Sequence, residues 1–184
     1  MNMPISKGRP MLAHVGINVV SLDRMVEFYT RFLGLTVSDS GFSQRLQNRF
    51  VFLSSDPNTH HQVVFEESRE EGSPGNINQI SFRLSSLDEL REFHQRLCDG
   101  NIEATPVSHG NAWSVYCSDP EGNLIEVYLD APFYIPQPQG KPFDLSQSDQ
   151  EIHRATQEWA DSVEGSMTHE EWSAGLARKM SAGE

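Results

Sequence analysis

Three residues with chemically useful side chains lie close together in the second half of the sequence. The stretch HGNAWSVYCSDP, at positions 109–120, contains His109 and Tyr116, and Glu126 follows between apolar neighbours in LIEVY. An unpaired carboxylate is costly to bury, because it loses its hydration. A bound cation would neutralise Glu126, and because Tyr116 and Glu126 lie on different predicted strands, only the fold can bring them together.

Composition limits the classes of partner. The chain has 14 Lys and Arg against 26 Asp and Glu, a formal net charge of -12, so its surface should repel nucleic acid. No apolar run approaches the length that spans a bilayer, and the segment MNMPISKGRP lacks the hydrophobic core of a signal peptide. We expect a cytoplasmic protein with neither nucleic-acid nor membrane partners.

Cysteine usage restricts the metal chemistry. The two cysteines, Cys98 and Cys117, do not form a CxxC pair. The sequence therefore contains neither a disulfide framework nor a thiolate zinc cluster. Any metal site must use oxygen and nitrogen ligands.

The chain contains an internal repeat. SLDRMVEFY, at 21–29, recurs as SLDELREFH at 86–94, and each copy predicts an amphipathic helix from its apolar spacing. The apolar positions are Leu22, Met25, Phe28 and Phe32 in the first copy and Leu87, Leu90, Phe93 and Leu97 in the second.

Strand-like segments flank both helices. HVGINVV (14–20) matches QISFRL (79–84), and this sets His14 opposite Gln79. Downstream, DPNTHHQVVF (56–65) matches DPEGNLIEVY (119–128), and this sets Val63 opposite Glu126. An Asp-Pro turn followed by an apolar run is typical of a tight turn that enters a strand.

Two further strand-like segments lie between each helix and its final strand, so each copy reads strand, helix, strand, strand, strand. The predicted fold class is α+β, with two βαβββ modules, about 11–68 and 77–131, in tandem. They are expected to form a curved sheet around a cleft, within a domain of residues 1–131.

Residues 132–184 depart from this repeat. FYIPQPQGKPFDL must run extended because of its prolines. Two helix starts follow, at Ser148 with Glu151 and at Thr168 with Glu171, each with the spacing of a capping box. We expect an extended and helical C-terminal extension with a structural role.

The residues quoted above resemble the vicinal oxygen chelate superfamily, which includes glyoxalases, bleomycin-resistance proteins and extradiol dioxygenases. The resemblance covers roughly residues 11–131 and rests on the repeat, the opening HVGINV and the closing DPEGNLIEVY. HHQVVF and HGNAWSVYCSDPEGNLIEVY are most similar to type I extradiol ring-cleavage dioxygenases, and FYIPQPQGKPFDLS is similar to their single-domain members.

The resemblance implies a metal site formed by His14, Gln79 and Glu126, with Fe(II) as the first expectation and Mn, Ni or Zn as alternatives. The family pattern has histidine where this chain has Gln79. Glyoxalase-type members carry a carboxylate in both modules, so Val63 argues against their four-ligand chemistry.

The resemblance also implies catalytic roles. His61 matches the family's acid/base histidine, and His109 and Tyr116 match the pair that hydrogen-bonds the substrate hydroxyl. The expected substrates are a catechol-like aromatic diol and dioxygen, and the expected assembly is a homo-oligomer.

Gln79 leaves three hypotheses open, because a neutral amide is a weaker ligand than imidazole. The chain is a working dioxygenase with an unusual ligand, a glyoxalase-like isomerase or lyase that uses another metal, or a non-catalytic small-molecule binder of the bleomycin-resistance type.

Overall fold

The computed structural model describes residues 10–75 and 77–182, and its mixture of helices and strands confirms the α+β class. The ends of the predicted domain ranges, at residues 1 and 184, and nearly all of the segment tested for a signal peptide lie outside these residues. The helices are α1 (Leu22–Arg31), α2 (Leu87–Asp99), α3 (Asp149–Asp161) and α4 (His169–Ala182). The first module's strands are β1 (Val15–Val19), β2 (Thr36–Ser43), β3 (Asn48–Ser54) and β4 (Val63–Glu67). Those of the second module and extension are β5 (Ile80–Arg83), β6 (Ala104–Ser108), β7 (Ala112–Ser118), β8 (Leu124–Asp130), β9 (Phe133–Tyr134), β10 (Lys141–Pro142) and β11 (Met167–Thr168).

Residues up to Pro74 belong to one compact unit, which contains the first βαβββ module. Its sheet has the order β1-β4-β3-β2, with β1 parallel to β4 and the other pairs antiparallel. Helix α1 begins after the N-cap Ser21 and buries its apolar residues. The ring of Tyr29 meets the ring of Phe65 edge-on, at 4.8 Å between centroids. The helix thus covers one face of the sheet and leaves the other for polar and aromatic side chains.

The second compact unit, Gly75–Glu184, repeats this arrangement. Its sheet places β5, β8, β7 and β6 in the matching order, with β5 parallel to β8, and the extension adds β10 beside β6. Helix α2 is capped by Ser86 and buries the four predicted apolar positions. The tandem βαβββ modules and both predicted helices are therefore confirmed.

Strand pairing corrects one prediction about the repeat. Val15 lies opposite Val63 in the first sheet, and its counterpart Ile80 lies opposite Ile125 in the second. The position equivalent to Glu126 is therefore Val64, and Val63 was the wrong choice. Val63 lies 7 positions after Asp56, whereas its equivalent Ile125 lies 6 positions after Asp119, so an ungapped match shifts the final strands by one position.

The C-terminal extension packs within the second unit. Both predicted helix starts are confirmed, since the Ser148–Glu151 and Thr168–Glu171 pairs make reciprocal capping hydrogen bonds. The indole of Trp113 donates to Thr156 Oγ1 at 3.0 Å, which ties α3 to the module.

The division at residue 131, the cytoplasmic location and the homo-oligomer stay predictions. Within the part of the chain described, every helix is too short or too polar to cross a bilayer.

Candidate functional site

Glu126 occupies the middle of β8 and is almost fully buried, with 8% of its surface exposed. Its neighbours Ile125 and Val127 belong to the buried core. Because side chains alternate along a strand, Glu126 projects from the opposite face of the sheet. The fold therefore buries this carboxylate away from the apolar layer.

Four neutral donors surround the Glu126 carboxylate. Oε1 accepts from Tyr116 Oη at 2.6 Å and from Ser114 Oγ at 2.8 Å. Oε2 accepts from Ser81 Oγ at 2.6 Å and from Gln79 Nε2 at 2.8 Å. A carboxylate has about four acceptor positions, so these bonds compensate the loss of hydration that burial imposes.

Strand register explains why these groups meet. Tyr116 on β7 and Ser81 on β5 lie directly opposite Glu126 on the two sides of β8, and paired residues project from the same face. Ser114 lies two residues from Tyr116 on β7, and Gln79 lies two residues from Ser81, just before β5, so both share that face. The prediction that the fold joins Tyr116 and Glu126 is confirmed. Sequence reasoning missed Ser81 and Ser114, which alternation from Gln79 and Tyr116 would have indicated.

His109 extends this group of side chains. Its Nε2 lies 2.9 Å from Tyr116 Oη and 3.8 Å from Glu126 Oε1. Its Nδ1 lies 2.6 Å from the carbonyl oxygen of Gln139. The second unit therefore brings together His109, Tyr116, Glu126 and Gln79, as the sequence predicted.

The Tyr116 hydroxyl is held in its protonated form. Burial raises the pKa of the phenol well above its usual range, and the hydrogen bond to Glu126 and the charge of that carboxylate raise it further. A protonated phenol beside a carboxylate is a good hydrogen-bond donor. Tyr116 can therefore position, or exchange a proton with, a ligand at this site.

The first unit holds a separate group of aromatic side chains. The rings of His14 and His61 lie 4.3 Å apart between centroids, and Phe52 lies 5.1 Å from His61. His60 is exposed, with its Nδ1 2.9 Å from His61 Nδ1, so it is His61 that contacts His14. Burial lowers the pKa of His61, and the neighbouring His14 and His60 lower it further.

The predicted metal ligands combine nitrogen and oxygen donor atoms. Across residues 10–75 and 77–182, no group of three or more His, Cys, Asp or Glu side chains is arranged to hold a metal ion. An amide oxygen can also bind a metal ion, and Gln79 supplies one. Its Nε2 contacts Glu126, so its exposed end can offer the amide oxygen. Gln79 and Glu126 fit a divalent cation that takes oxygen ligands. That His14 is a third ligand of the same ion stays a prediction.

Comparison with known proteins gives a family match. Residues 11–127 match the model of the "Glyoxalase/Bleomycin resistance protein/Dioxygenase superfamily". The chain is 28% identical over 127 residues to biphenyl-2,3-diol 1,2-dioxygenase 3 of Rhodococcus globerulus, which covers 66% of this chain and 64% of that enzyme. It is 26% identical over 139 residues to metapyrocatechase of Geobacillus stearothermophilus, which covers 71% of this chain and 38% of that enzyme. The chain thus spans less than two thirds of either enzyme.

A solved structure supports the fold. A glyoxylase/bleomycin resistance protein/dioxygenase domain from Frankia sp. EAN1pec superposes with a TM-score of 0.56 at 21% identity, covering 67% of this chain and 99% of that one. At this identity the likeness concerns the fold alone.

Proposed function

Because the chain belongs to the glyoxalase/bleomycin resistance protein/dioxygenase superfamily, we propose that it is an extradiol-type ring-cleavage dioxygenase that acts on a catechol-like aromatic diol. The observation that carries the proposal is the hydrogen-bonded chain from His109 through Tyr116 to Glu126. The similarity to a biphenyl-2,3-diol 1,2-dioxygenase supports the same reaction class. Dioxygen is the second substrate of the proposal.

We assign His14, Gln79 and Glu126 as the ligands of a divalent metal, with Fe(II) first and Mn, Ni or Zn as alternatives. When bound, this ion would supply open coordination positions for the diol oxygens and dioxygen. Gln79 would bind through its amide oxygen, since its nitrogen donates to Glu126. Ser81 and Ser114 hold the carboxylate in a fixed orientation from either side.

The remaining roles belong to groups that handle protons. Tyr116 Oη and His109 Nε2 lie within hydrogen-bond distance of each other, so they can together orient a diol hydroxyl. His61 is assigned as the acid/base that accepts a proton from the diol. Its half-buried ring packs between Phe52 and His14 in the first unit.

Oxygen uptake tests this proposal. Protein reconstituted with Fe(II) under anaerobic conditions should consume oxygen when mixed with catechol or biphenyl-2,3-diol in air, and a yellow ring-opened product should accumulate. Glu126→Ala should lose both the metal and the activity, whereas Glu103→Ala, which changes an exposed glutamate in the same unit, should keep both. Stoichiometric iron without oxygen uptake on any diol would refute the proposal.

A second candidate is a small-molecule binder that uses no metal. The specific observation in its favour is that neutral donors already occupy both oxygens of Glu126, one of them from Gln79, where the resemblance implies histidine. Elemental analysis of protein purified without chelator separates the two candidates. Near-stoichiometric metal that disappears in Glu126→Ala excludes the binder. The glyoxalase-like alternative is disfavoured because the counterpart of Glu126 is the apolar Val64.

A further inference from the structure

We infer that the C-terminal extension is part of the functional site, with Gln137 and the main-chain carbonyl of Gln139 as positioning groups for His109. The effect on turnover rests on the proposed function, whereas the effect on the His109 ring does not. This role differs from the structural one that the sequence predicts for the extension.

The first observation concerns the ring of His109. Its Nδ1 lies 2.6 Å from the carbonyl oxygen of Gln139, and its Nε2 lies 2.9 Å from Tyr116 Oη. A carbonyl oxygen only accepts hydrogen bonds, so Nδ1 must carry a hydrogen. The partner of one ring nitrogen fixes both the orientation of the imidazole and the nitrogen that faces the site. Gln139 therefore determines how His109 presents Nε2 to Tyr116.

The second observation concerns the side chain of Gln137. Its Nε2 donates to the carbonyl oxygens of His109, at 2.8 Å, and Ile135, at 3.0 Å. Its Oε1 accepts from the backbone N–H of Gln139 at 2.9 Å. One exposed side chain thus links the main chain of His109 to the residue whose carbonyl holds the His109 ring. This bridge sets the distance between the two segments.

The third observation is that the segment containing Gln137 is fixed at both ends. Ile135 is fully buried, and an added Cβ on Gly110 would lie only 2.4 Å from its Cδ1. At the other end, Lys141 pairs with Ser108, the residue before His109. Between these anchors, the Gln137 bridge makes the hydrogen bonds that orient the Gln139 carbonyl. Its loss should therefore release the His109 ring without unfolding the second unit.

Nitrogen-15 NMR of the histidine side chains in the metal-free protein tests this inference. The His109 signal is assigned by its loss in His109→Gln. In the wild type, His109 should show a hydrogen on Nδ1 that exchanges slowly with water. Gln137→Ala should speed this exchange at least tenfold and populate the other tautomer. Gln157→Ala is the matched control, because Gln157 lies in the same extension and its side-chain amide donates to Asp161, and it should leave the His109 signal unchanged.

A second variant and a kinetic measurement complete the test. Gln137→Glu keeps an acceptor for Gln139 N–H but removes the donor to His109, so its exchange rate should fall between those of the wild type and Gln137→Ala. In Fe(II)-loaded protein, Gln137→Ala should lower kcat for catechol about tenfold and leave KM within twofold. Folded Gln137→Ala with a wild-type His109 tautomer and exchange rate would overturn the inference. If the wild type fails to consume oxygen, the proposed function fails while the NMR comparison still decides the role of Gln137.

Discussion

The phenolic oxygen of Tyr116 lies 2.6 Å from Oε1 of Glu126, the residue directly opposite it on the neighbouring strand. The same oxygen lies 2.9 Å from His109 Nε2. A hydroxyl has one hydrogen to donate, so at any moment Tyr116 donates it either to Glu126 Oε1 or to His109 Nε2, which is the acceptor nitrogen when Nδ1 carries the ring hydrogen. A ligand hydroxyl that hydrogen-bonds to Tyr116 must therefore replace His109 or Glu126 as the partner of the phenolic oxygen. In the proposed function, Tyr116 is therefore the residue that can connect the buried carboxylate to a bound diol through hydrogen bonds.

Tyr116→Phe should reduce turnover far more than it reduces stability. The change removes one hydrogen bond to Glu126 and should lower the free energy of unfolding by about 1 kcal/mol, because Ser114 still donates to the same oxygen. Loss of a positioned proton donor should lower kcat for catechol about 10²-fold or more. Oxygen uptake and urea unfolding measure the two effects. Tyr134→Phe, on β9 outside this site, is the control, and wild-type kcat in Tyr116→Phe would contradict the assignment.

Gln79→His should raise the affinity for Fe(II). Imidazole is a better ligand for this metal than a neutral amide, although the substitution also removes the hydrogen bond from Gln79 Nε2 to Glu126 Oε2. Anaerobic Fe(II) titration followed by elemental analysis measures the gain. Gln95→His, on the exposed side of α2, controls for a surface histidine. Equal iron content in both variants would argue that position 79 is not a metal ligand.

Glutamate substitutions at Val63 and Val64 test the strand register. Val63 is 1% exposed and belongs to the apolar core, whereas Val64 is half-buried on the opposite face, at the position equivalent to Glu126. Val63→Glu should cost several kcal/mol, because it buries an unpaired charge in an apolar layer. Val64→Glu should unfold within a few degrees of the wild type. A lower melting temperature for Val64→Glu than for Val63→Glu would support the ungapped alignment, in which Val63 is equivalent to Glu126.

Most of the fold was predictable because its signals are local. The two helices follow from apolar spacing and the serine caps, and the modules follow from the repeat. The final strand of the first module was the exception. Val63 and Val64 are adjacent and equally apolar, so the pattern fits either register, and only hydrogen bonding to β1 and β3 distinguishes them.

Residues of the candidate site with chemically distinctive side chains could be predicted from the sequence, whereas those of common types could not. His109, Tyr116 and Glu126 were identified from the sequence. Ser81 and Ser114 resemble any small strand residue, and their role depends on pairing with β8. The contribution of Gln137 and Gln139 depends on a long-range contact with His109, which sequence periodicity does not encode.

The two cysteines should differ in reactivity and in their effect on pH dependence. Burial, with a smaller effect from Asp119, raises the pKa of the Cys117 thiol to about 11, whereas Cys98 is exposed. An unfolded thiol has a pKa of about 8.5. The pKa of the thiol is therefore higher in the folded than in the unfolded state. Its contribution to the free energy of unfolding is complete below about pH 8.5 and is lost as the pH rises towards 11.

A thiol reagent at pH 8 should therefore label one cysteine in the native protein and both after denaturation. Cys98→Ser should abolish the native labelling, and Cys117→Ser should leave it unchanged. Urea unfolding at several pH values should show that Cys117→Ser removes part of the alkaline loss of stability. Rapid labelling of Cys117 in the folded protein at pH 8 would show that the β7 core is more open than the structure indicates.

Gly110→Ala should destabilise the protein more than Gly122→Ala, although both glycines have positive φ, at 78° and 81°. Each substitution forces a non-glycine residue into the left-handed region, at a cost of about 1–2 kcal/mol. Only at Gly110 would the new Cβ also collide with Ile135, whose Cδ1, Cγ1 and Cβ lie 2.4, 2.8 and 3.1 Å away, and such overpacking adds about 1–3 kcal/mol. A Cβ added at Gly122 would have no atom of the described residues within 4 Å, apart from those of its chain neighbours. Urea unfolding should show that Gly110→Ala loses more free energy of unfolding than Gly122→Ala, by about the 1–3 kcal/mol of overpacking. Equal losses of free energy in the two variants would show that Ile135 moves aside and that the extension is not held firmly beside His109.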